Sequence, residues 1–460
     1  MLIPPFWKAL LLLMSLGPLL YTLLRRTFDL ARLIGSWIGA RRSVRSLIDC
    51  DRSRFPDPGS TPPISLLVPA ANASATIVDS VGRLLSLDFP LYEVIVINDG
   101  STDDTLPLLI EAYGLIPFEQ PYKRSLATAR VRRIYRSAQH AGLVVVDKEA
   151  GGRADALNAG INLSSYPLFL SVDPALVLDK SALTRIACTF VSDPACVAVG
   201  GLVRIGDGRR PDARRAQSPV AMLQTIEVLR AFFAGWTGYR APDPRLIIPG
   251  MLGAFLKRTA IDAGGYRRGS LDEEADLTLR IHRLLRASGR SCRVRCLPEP
   301  ICRMRPLATF ADLKGQWRRQ QAGLTETLLR HRDMLLRPAR GRAGLLRILY
   351  CWTVGVAGPV IETLGFVFVP LALLLGVVDW HFFITYFLAA ALYGTILSAG
   401  ALLLEETAFR KTPDVGRLTR GLLFALADGF GIEQVRTVHR VAALMGGRGN
   451  AYSQGGGKGK

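Results

Sequence analysis

Apolar residues are concentrated near the two ends of the chain, whereas the middle alternates short apolar runs with polar segments. The stretch 9–24 is almost uninterrupted, and 348–378 and 380–404 are each long enough to span a hydrocarbon core of about 30 Å. We therefore expect an N-terminal membrane anchor and about two C-terminal transmembrane helices.

The charges that flank these stretches predict their orientation. One lysine precedes the first stretch, and a cluster of arginines beginning at Arg25 follows it without a small-residue cleavage site. This order is unlike that of a cleaved signal peptide, so we interpret the stretch as a permanent anchor. Because basic segments stay in the cytoplasm, we expect the N-terminus outside and the segment after Arg25 inside. Glu362 lies within the second stretch, either as a functional group or packed against a neighbouring helix.

The middle of the chain has the pattern of an α/β fold. Short apolar runs typical of buried strands occur at 64–69, 92–97, 143–146 and 168–173, and helical patterns occur at 76–87 and 105–113. Such alternation predicts a mixed, mainly parallel sheet with right-handed crossovers.

Polar or turn-forming residues lie at the C-terminal ends of three of these strands, at the edge where parallel sheets bind ligands. Pro69 ends the first strand and Asn72 follows it, Asp99 and Gly100 follow the second, and Asp173 ends the last. Each alone is equally typical of a turn or a helix cap. Their recurrence at three strand ends indicates a binding site.

Composition narrows the class of protein further. The chain has 460 residues, of which 49% are hydrophobic and 21% charged, which excludes a disordered or coiled-coil chain. Its net charge of +20 suits an anionic membrane surface or a phosphate-bearing ligand. Nucleic acid would suit the same charge, but no helix-turn-helix or aromatic-interleaved basic patch is present in the sequence. Seven scattered cysteines argue against a disulfide framework or a zinc site and favour a reducing compartment.

Several short motifs occur in a fixed order, at 68–72, 94–103, 148–160, 171–173, 264–266, 273–277 and 316–324. Each is weak alone, but the set resembles the membrane-embedded family 2 glycosyltransferases with the GT-A nucleotide-sugar-binding fold. That group includes synthases of cellulose, hyaluronan, chitin and poly-N-acetylglucosamine. The resemblance covers about 65–341 and extends into the C-terminal helices.

The resemblance implies roles for individual residues. In this family an Asp-x-Asp motif holds Mg²⁺ or Mn²⁺ beside the donor diphosphate, which places the metal at Asp173. A carboxylate of a paired acidic motif deprotonates the acceptor hydroxyl, which implies Glu274, preceded by Glu273, as the catalytic pair. The implied nucleotide-sugar-binding residues are Pro69, Asn72, Asp99, Gly100, Arg153, Asp155, Asp173, Gln316 and Arg319, and the acceptor-binding residues are Gln320 and Trp317.

Four changes depart from the family pattern. Ala175 stands where the second aspartate of Asp-x-Asp is expected, so the divalent cation has one motif carboxylate. Glu274 replaces the aspartate that acts as base, and Gln320 replaces the tryptophan that stacks on the acceptor sugar. Alanines replace the residues that usually flank Asn72.

These features predict the following organisation. We expect an N-terminal anchor at 1–40, a linker at 41–63, a cytoplasmic GT-A domain at 64–310 and interfacial helices with the Gln-x-x-Arg-Gln motif at 311–345. Transmembrane helices follow at 346–405, a cytoplasmic amphipathic segment at 406–445 and a disordered Gly-rich tail at 446–460.

Two functions are compatible with this sequence. The first is an enzyme, an inverting hexosyltransferase-type glycosyltransferase that moves a sugar from a nucleotide-diphosphate donor to a lipid-linked or polysaccharide acceptor at the cytoplasmic membrane face. The alternative is a catalytically impaired homologue that serves as a nucleotide-binding or scaffolding subunit of an envelope polysaccharide complex.

The first of these functions, that of an enzyme, also predicts the partners of the protein and its location. The expected partners are a nucleotide-diphosphate sugar, foremost a UDP-sugar, a glycan or lipid-linked acceptor, membrane lipids and envelope-biosynthesis proteins, with no nucleic acid. The expected location is the inner membrane of a bacterium, with several spans and a cytoplasmic catalytic domain.

Overall fold

The structure, a computed structural model, describes residues 4–53, 61–119, 121–206, 218–233, 252–336, 349–409 and 415–445, and of 40–53 and 335–336 the backbone alone. The tail predicted to be disordered, 446–460, lies outside these ranges, as does 54–60 of the predicted linker. The chain divides into two compact units. The sheet unit comprises Gly39–Ala216 and Gly238–Pro306, and the membrane unit comprises Met1–Ile38, Gln217–Thr237 and Leu307–Lys460.

The sheet unit is built on a mixed sheet whose strand order is β3-β4-β5-β2-β1-β6-β9-β8-β10-β7. The central strands β5, β2, β1 and β6 are mutually parallel, and the pairs β3–β4, β4–β5, β6–β9, β8–β9 and β7–β10 are antiparallel. The strands are β1 Ile64–Ala70, β2 Tyr92–Asp99, β3 Leu115–Pro117, β4 Val131–Ser137, β5 Leu143–Lys148, β6 Leu168–Ser171, β7 Leu176–Leu178, β8 Cys196–Ile205, β9 Gly253–Leu256 and β10 Arg293–Met304.

Helices cover both faces of this sheet. They are α2 Ile77–Leu85, α3 Thr105–Tyr113, α4 Arg153–Leu163, α5 Ala182–Ser192, α7 Lys257–Asp262 and α8 Glu273–Ala287. Because side chains alternate along a strand, β1 contributes to two cores: Leu66 packs in the core that includes α2, and Leu67 packs in the core that includes α4. Burying each such side chain stabilises the fold by about 1.5–3 kcal/mol.

The strand order reverses beside β1. The chain runs from β1 to β2 and β5 on one side, and then crosses back through α4 to place β6 on the other side of β1. Ligands of open α/β sheets bind outside the carboxyl ends of the strands at such a reversal. The predicted site residues that follow β1, β2 and β6 lie at this edge.

The membrane unit is helical. It contains most of α1 (Pro5–Ser53), together with α6 Pro219–Phe233, α9 Phe310–Arg330, α10 Asp333–Leu336, α11 Gly358–Leu374, α12 Trp380–Ala408, α13 Val415–Ala427 and α14 Glu433–Met445. Two π-helical turns, Thr353–Ala357 and Asp428–Ile432, precede α11 and α14.

Three helical segments of the described chain are long and apolar enough to cross a membrane by length and composition: Pro5–Gly39, Leu349–Leu374 and Trp380–Ala408. They match the N-terminal and two C-terminal helices predicted from sequence. This finding indicates a membrane protein.

Two element boundaries differ from the predicted organisation. Helix α1 continues to Ser53, into the segment 41–63 that the sequence suggests as a linker. The sequence has no glycine or proline between Gly39 and Pro56, so nothing in it stops the helix earlier. Helix α6 lies in the membrane unit although its residues fall within the predicted domain 64–310.

Glu362 packs against neighbouring helices of the membrane unit. Its side chain is buried and forms an ion pair with Arg25 of α1. The Thr437 hydroxyl of α14 donates to its other carboxylate oxygen at 3.5 Å. These contacts support the second of the two alternatives for Glu362, a group packed against a partner helix.

Candidate active site

The loop after β1 is fastened to the loop after β2. Asn72 has a φ of 52°, in the left-handed region that asparagine tolerates better than most residues. Its Oδ1 accepts a hydrogen bond from the Thr102 backbone N–H at 2.9 Å, and its own N–H donates to Ser101 Oγ at 3.0 Å. Pro69 lies within β1, opposite Ile97 of β2. Asn72 therefore holds the two loops together at the ligand-binding edge.

Asp103 strengthens the same connection. Its carboxylate accepts from the Ser74 backbone N–H at 3.0 Å and from the Thr105 hydroxyl. Burial raises the pKa of Asp103, but the hydrogen bonds from Thr105 and Ser74 outweigh it and lower the pKa to about 2. The carboxylate is therefore ionised at any physiological pH.

Asp99, at the end of β2, is enclosed by the loop after β5. Its Oδ1 accepts from the Lys148 ammonium and from the Gly151 N–H at 3.0 Å, and its Oδ2 accepts from the Gly152 N–H at 2.7 Å. Gly100 has a φ of +66°, and a Cβ there would lie 2.7 Å from the Ala150 nitrogen. Only glycine at position 100 allows the two loops to approach so closely.

Lys148 joins the two aspartates that the resemblance assigns to the nucleotide. It is fully buried and forms ion pairs with Asp99 and, at 2.9 Å, with Asp155. Asp155 also accepts from the Ala129 N–H at 3.0 Å and forms an ion pair with Arg268. The side chain of Arg268 is 53% exposed, so it is the member of this cluster that faces solvent.

Arg153, at the start of α4, pairs with both predicted catalytic carboxylates. Its Nη2 donates to Glu274 Oε1 at 3.0 Å and its Nη1 donates to Glu273 Oε2 at 3.1 Å. The Ser171 hydroxyl at the end of β6 also donates to Glu274 Oε1, at 2.9 Å. The acidic pair at the start of α8 is thereby held at the carboxyl end of β6, next to the strand reversal.

These contacts give neighbouring carboxyl groups different proton affinities. Burial raises the pKa of Glu274, but Arg153 and Ser171 outweigh it, so the net pKa is lowered. Burial raises the pKa of Glu273, and Arg153 offsets this only in part. Burial and the nearby Glu274 charge raise the pKa of Asp272 to about 7. Carboxyl groups with such separated pKa values are typical of sites that move protons.

Asp173 has one carboxylate oxygen committed to its own turn. Its Oδ1 accepts from the Ala175 backbone N–H at 2.9 Å. Within the ranges that the structure describes, no group of three or more His, Cys, Asp and Glu side chains could hold a metal ion. Mg²⁺ beside a nucleotide commonly takes only one or two protein carboxylates together with phosphate oxygens, so the Asp173 oxygen that has no partner among the described residues fits such a cation.

The Gln-x-x-Arg-Gln motif lies on α9 of the membrane unit. Gln316 is half-buried and accepts from the Gln224 amide at 3.3 Å, whereas Arg319 and Gln320 are exposed. Trp317 is 1% exposed, and its Nε1 donates to Glu227 at 2.5 Å. Neither face of a ring so enclosed is open to a sugar. The structure therefore gives Trp317 a packing role in place of the predicted acceptor-binding role.

Sequence reasoning assigned no role to Lys148, Arg268 or Ser171. A signal for Lys148 was present, because Asp99 and Lys148 end adjacent parallel strands and are register partners in the sheet. A charged residue that ends the strand beside an aspartate is a candidate partner for it. Arg268 lies in a glycine-rich loop whose path no local pattern predicts.

The strand order, the reversal beside β1 and the polar groups at that edge define a nucleotide-sugar transferase fold of the GT-A class. Comparison with solved structures agrees. A mannosyltransferase from Pyrobaculum calidifontis, in complex with GDP-Man and Mn²⁺, superposes with a TM-score of 0.54 at 16% identity. The superposition covers 94% of this chain and 99% of that one. The predicted GT-A fold is confirmed.

The sequence comparisons are more specific. Residues 65–137 match the family described as Glycosyl transferase family 2. Poly-beta-1,6-N-acetyl-D-glucosamine synthases of Staphylococcus aureus and Staphylococcus epidermidis are 27% and 26% identical over 268 and 267 residues. The matched region covers 58% of this chain and 56% of each relative, so the chain spans little more than half the length of these curated relatives. The resemblance to family 2 glycosyltransferases is confirmed.

Proposed function

We propose that this protein is an inverting glycosyltransferase that moves a sugar from a nucleotide-diphosphate donor to a lipid-linked or polysaccharide acceptor. The supporting observation is the cluster at the strand reversal, where Arg153 holds Glu273 and Glu274 beside the end of β6. This cluster provides a cation for a diphosphate and carboxylates for a hydroxyl proton within one hydrogen-bonded group.

The proposed reaction is a single displacement. The acceptor hydroxyl oxygen attacks the anomeric carbon, a carboxylate takes the hydroxyl proton, and the nucleoside diphosphate leaves with the bonding electron pair. The resemblance assigns the base to Glu274, whose lowered pKa keeps it ionised. In the structure the Arg153 guanidinium is hydrogen-bonded to the Glu274 carboxylate, and a donor diphosphate would compete for that guanidinium. Donor binding would thereby free the base before the acceptor arrives.

The donor is proposed from the resemblance and the comparisons. A UDP-sugar is the first candidate, and UDP-N-acetylglucosamine is the first to test because the curated relatives are poly-N-acetylglucosamine synthases. A GDP-sugar is the second, because the structurally similar mannosyltransferase is in complex with GDP-Man. Asp173 is the residue that would hold Mg²⁺ or Mn²⁺, an ion that neutralises charge on the diphosphate.

The proposed setting is the inner membrane of a bacterium, with three spans and the sheet unit in the cytoplasm. The three apolar helical segments and the arginines that follow the first of them support this setting. A polysaccharide or lipid-linked acceptor suits it, as do membrane lipids and envelope-biosynthesis proteins as partners.

A second candidate function is a nucleotide-binding subunit without transfer activity. It is favoured by one observation: both predicted nucleotide aspartates are already engaged by Lys148, and Asp155 is engaged by Arg268 as well. The two candidate functions share the same fold and differ in whether the protein transfers the sugar after it binds the donor.

The first experiment combines binding with transfer. Binding of UDP and GDP to the detergent-purified protein is measured by calorimetry with Mn²⁺ and with excess chelator. Transfer from radiolabelled UDP-N-acetylglucosamine and GDP-mannose is then measured in nanodiscs. Turnover with either donor supports the enzyme, and binding without turnover across donors supports the second candidate. Absence of binding contradicts both.

Paired variants of the acidic motif test the base. We expect Glu274→Gln to lower kcat by about 10²-fold or more while nucleotide affinity is retained, because general-base catalysis contributes about 10²–10⁴-fold. The matched change Glu273→Gln should retain most activity, since it leaves the Glu274 carboxylate in place. The reverse result would move the base to Glu273, and full activity in both would remove the pair from catalysis.

A further inference from the structure

The C-terminal helix, defined as α13, the π-helical turn Asp428–Ile432 and α14, is continuous from Val415 to Met445, and in its middle part the charged side chains lie inside and the apolar side chains outside. Beyond that part, Arg420 is exposed and Arg417 and Arg440 are half-buried. Between positions 421 and 438 the ionisable residues are Asp428, Glu433 and Arg436, which are 1%, 4% and 3% exposed. The exposed residues over the same range are all apolar: Leu422, Leu423, Leu426, Ala427, Phe430, Val435 and Val438. Helices on the surface of a water-soluble domain show the opposite arrangement.

The buried charges of the C-terminal helix are neutralised within the helix and by other helices of the membrane unit. Glu433 accepts from Arg26 of α1 at 2.6 Å and also from Arg230 of α6. Asp428 accepts from Arg436 at 3.1 Å and from the Ser398 hydroxyl of α12 at 3.1 Å. Ionised groups at membrane depth need partners of this kind, because hydrocarbon offers no solvation.

The C-terminal helix also packs along a candidate span. A Cβ on Gly421 would lie 3.2 Å from Leu402, near the end of α12, and a Cβ on Gly429 would lie 2.5 Å from the Ala391 carbonyl oxygen. The C-terminal helix therefore runs beside α12 in the opposite direction, from Leu402 towards Ala391, and α12 is one of the segments long and apolar enough to cross a membrane.

We propose that the C-terminal helix is embedded in the bilayer and that its exposed apolar face binds lipid acyl chains. Lipid is the occupant that fits, because the face lies beside α12, whose own outer surface exposes Leu392 and Ile396. For 415–445, the proposal replaces the cytoplasmic placement predicted from sequence. It concerns the membrane unit alone and does not depend on the proposed activity.

Photocrosslinking in a defined bilayer tests this placement. The photoreactive residue p-benzoylphenylalanine is placed at Phe430, which is 55% exposed, and the full chain is reconstituted in phosphatidylcholine nanodiscs. After irradiation, peptide mass spectrometry reports whether the residue has joined to lipid or to protein. Leu392 of α12 is the positive control. Phe118 of the sheet unit, 39% exposed, is the matched aromatic control.

We expect lipid adducts at Phe430 and Leu392 and at least tenfold fewer at Phe118. Leu423, on the same face, serves as a second position if the Phe430 variant does not fold. Adducts at Leu392 without adducts at Phe430 would overturn the proposal. So would crosslinks from Phe430 to a second protein chain, or lipid adducts at Phe118 equal to those at Phe430. Absence of lipid adducts at both Phe430 and Leu392 would also contradict the proposal, because it depends on both surfaces facing the same lipid.

Discussion

Lys148 has no solvent-exposed surface, and its ammonium lies between two carboxylates. A buried charge of this kind is tolerated only while its partners are present. Removal of one member leaves the others without compensation, which typically costs about 3–5 kcal/mol. The same residue therefore links the stability of the sheet unit to the shape of its proposed nucleotide site.

Lys148→Met should destabilise the sheet unit because it leaves Asp99 and Asp155 without this shared cation. We expect the melting temperature, measured by scanning fluorimetry in detergent, to fall by about 6–20 °C, given about 2–4 °C per kcal/mol for a unit of this size. Lys180→Met is the control, because Lys180 is exposed in the same unit. Equal melting temperatures for the two variants would contradict the structural role of Lys148.

Asp272 makes stability depend on pH. Its pKa is raised to about 7, so the protonated form is favoured in the folded state. Its contribution to stability is complete below its ordinary pKa near 3.8 and is lost as the pH rises towards 7. Asp272→Asn removes this titration and keeps an acceptor for the Ala275 N–H at the start of α8.

We therefore expect the advantage of Asp272→Asn over the unmodified chain to grow between pH 5 and pH 8 by about 1 kcal/mol or more, since one pKa unit corresponds to about 1.4 kcal/mol. Melting temperatures across this pH range measure it. Asp262→Asn is the control because Asp262 is exposed. A difference between the variant and the unmodified chain that stays constant with pH would show that Asp272 has an ordinary pKa.

The sequence predicted where the candidate site lies better than it predicted which side chains pair within it. Strand ends placed Asp99 and Asp173 at one edge because parallel strands share an edge. The pairing of Arg153 with Glu273 and Glu274 depends on where α4 and α8 meet, which no local pattern contains. Trp317 shows a second limit of the prediction. Its position in the motif suggested an acceptor-binding side chain, but the structure buries it in the core.

At the scale of elements, glycines determine how closely the C-terminal helix approaches α12. A Cβ on Gly429 would lie 2.4 Å from Thr395 Oγ1 and 2.5 Å from the Ala391 carbonyl oxygen, whereas a Cβ on Gly431 would have no heavy atom of the described residues within 4 Å. The two glycines lie in the same π-helical turn and differ only in what surrounds them. They form a matched pair for measuring this packing.

Gly429→Ala should loosen the packing of the C-terminal helix on α12, because overpacking at a close contact costs about 1–3 kcal/mol. Gly431→Ala should be neutral or stabilising, because alanine favours helical structure by about 1 kcal/mol. Melting temperature in nanodiscs, together with protease resistance of the C-terminal segment, measures both. Equal behaviour of the two variants would show that the C-terminal helix does not pack tightly on α12.

Periodicity predicted the three apolar helical segments but not which face of the C-terminal helix lies inside. Charged and apolar residues at helical spacing suggested a cytoplasmic amphipathic segment, because charged faces usually point to water. Glu433 of this helix instead accepts from Arg26 and Arg230, which are distant in sequence. Which face of such a helix is inside can be decided only when those partners are known.

At the scale of the whole molecule, the proposed topology has an external N-terminus and an internal C-terminus. We expect green fluorescent protein fused after Lys460 to fluoresce in bacteria, since it folds in the cytoplasm. Alkaline phosphatase fused after Asp379, between α11 and α12, should be active because that enzyme requires the oxidising side of the membrane. The opposite pair of results would invert the orientation, and activity of both reporters at both positions would contradict a fixed topology.

The ion pair between Arg26 and Glu433 connects residues 407 positions apart. At about 5–20 residues per second, a ribosome needs roughly 20–80 s to synthesise the chain between them. During that interval the first helix has already left the ribosome while the closest partner of its charge has not been made. A chain interrupted between Glu362 and Glu433 would leave Arg26 with Glu362 at 4.0 Å and without the closer Glu433, so α14 completes the charge compensation of α1.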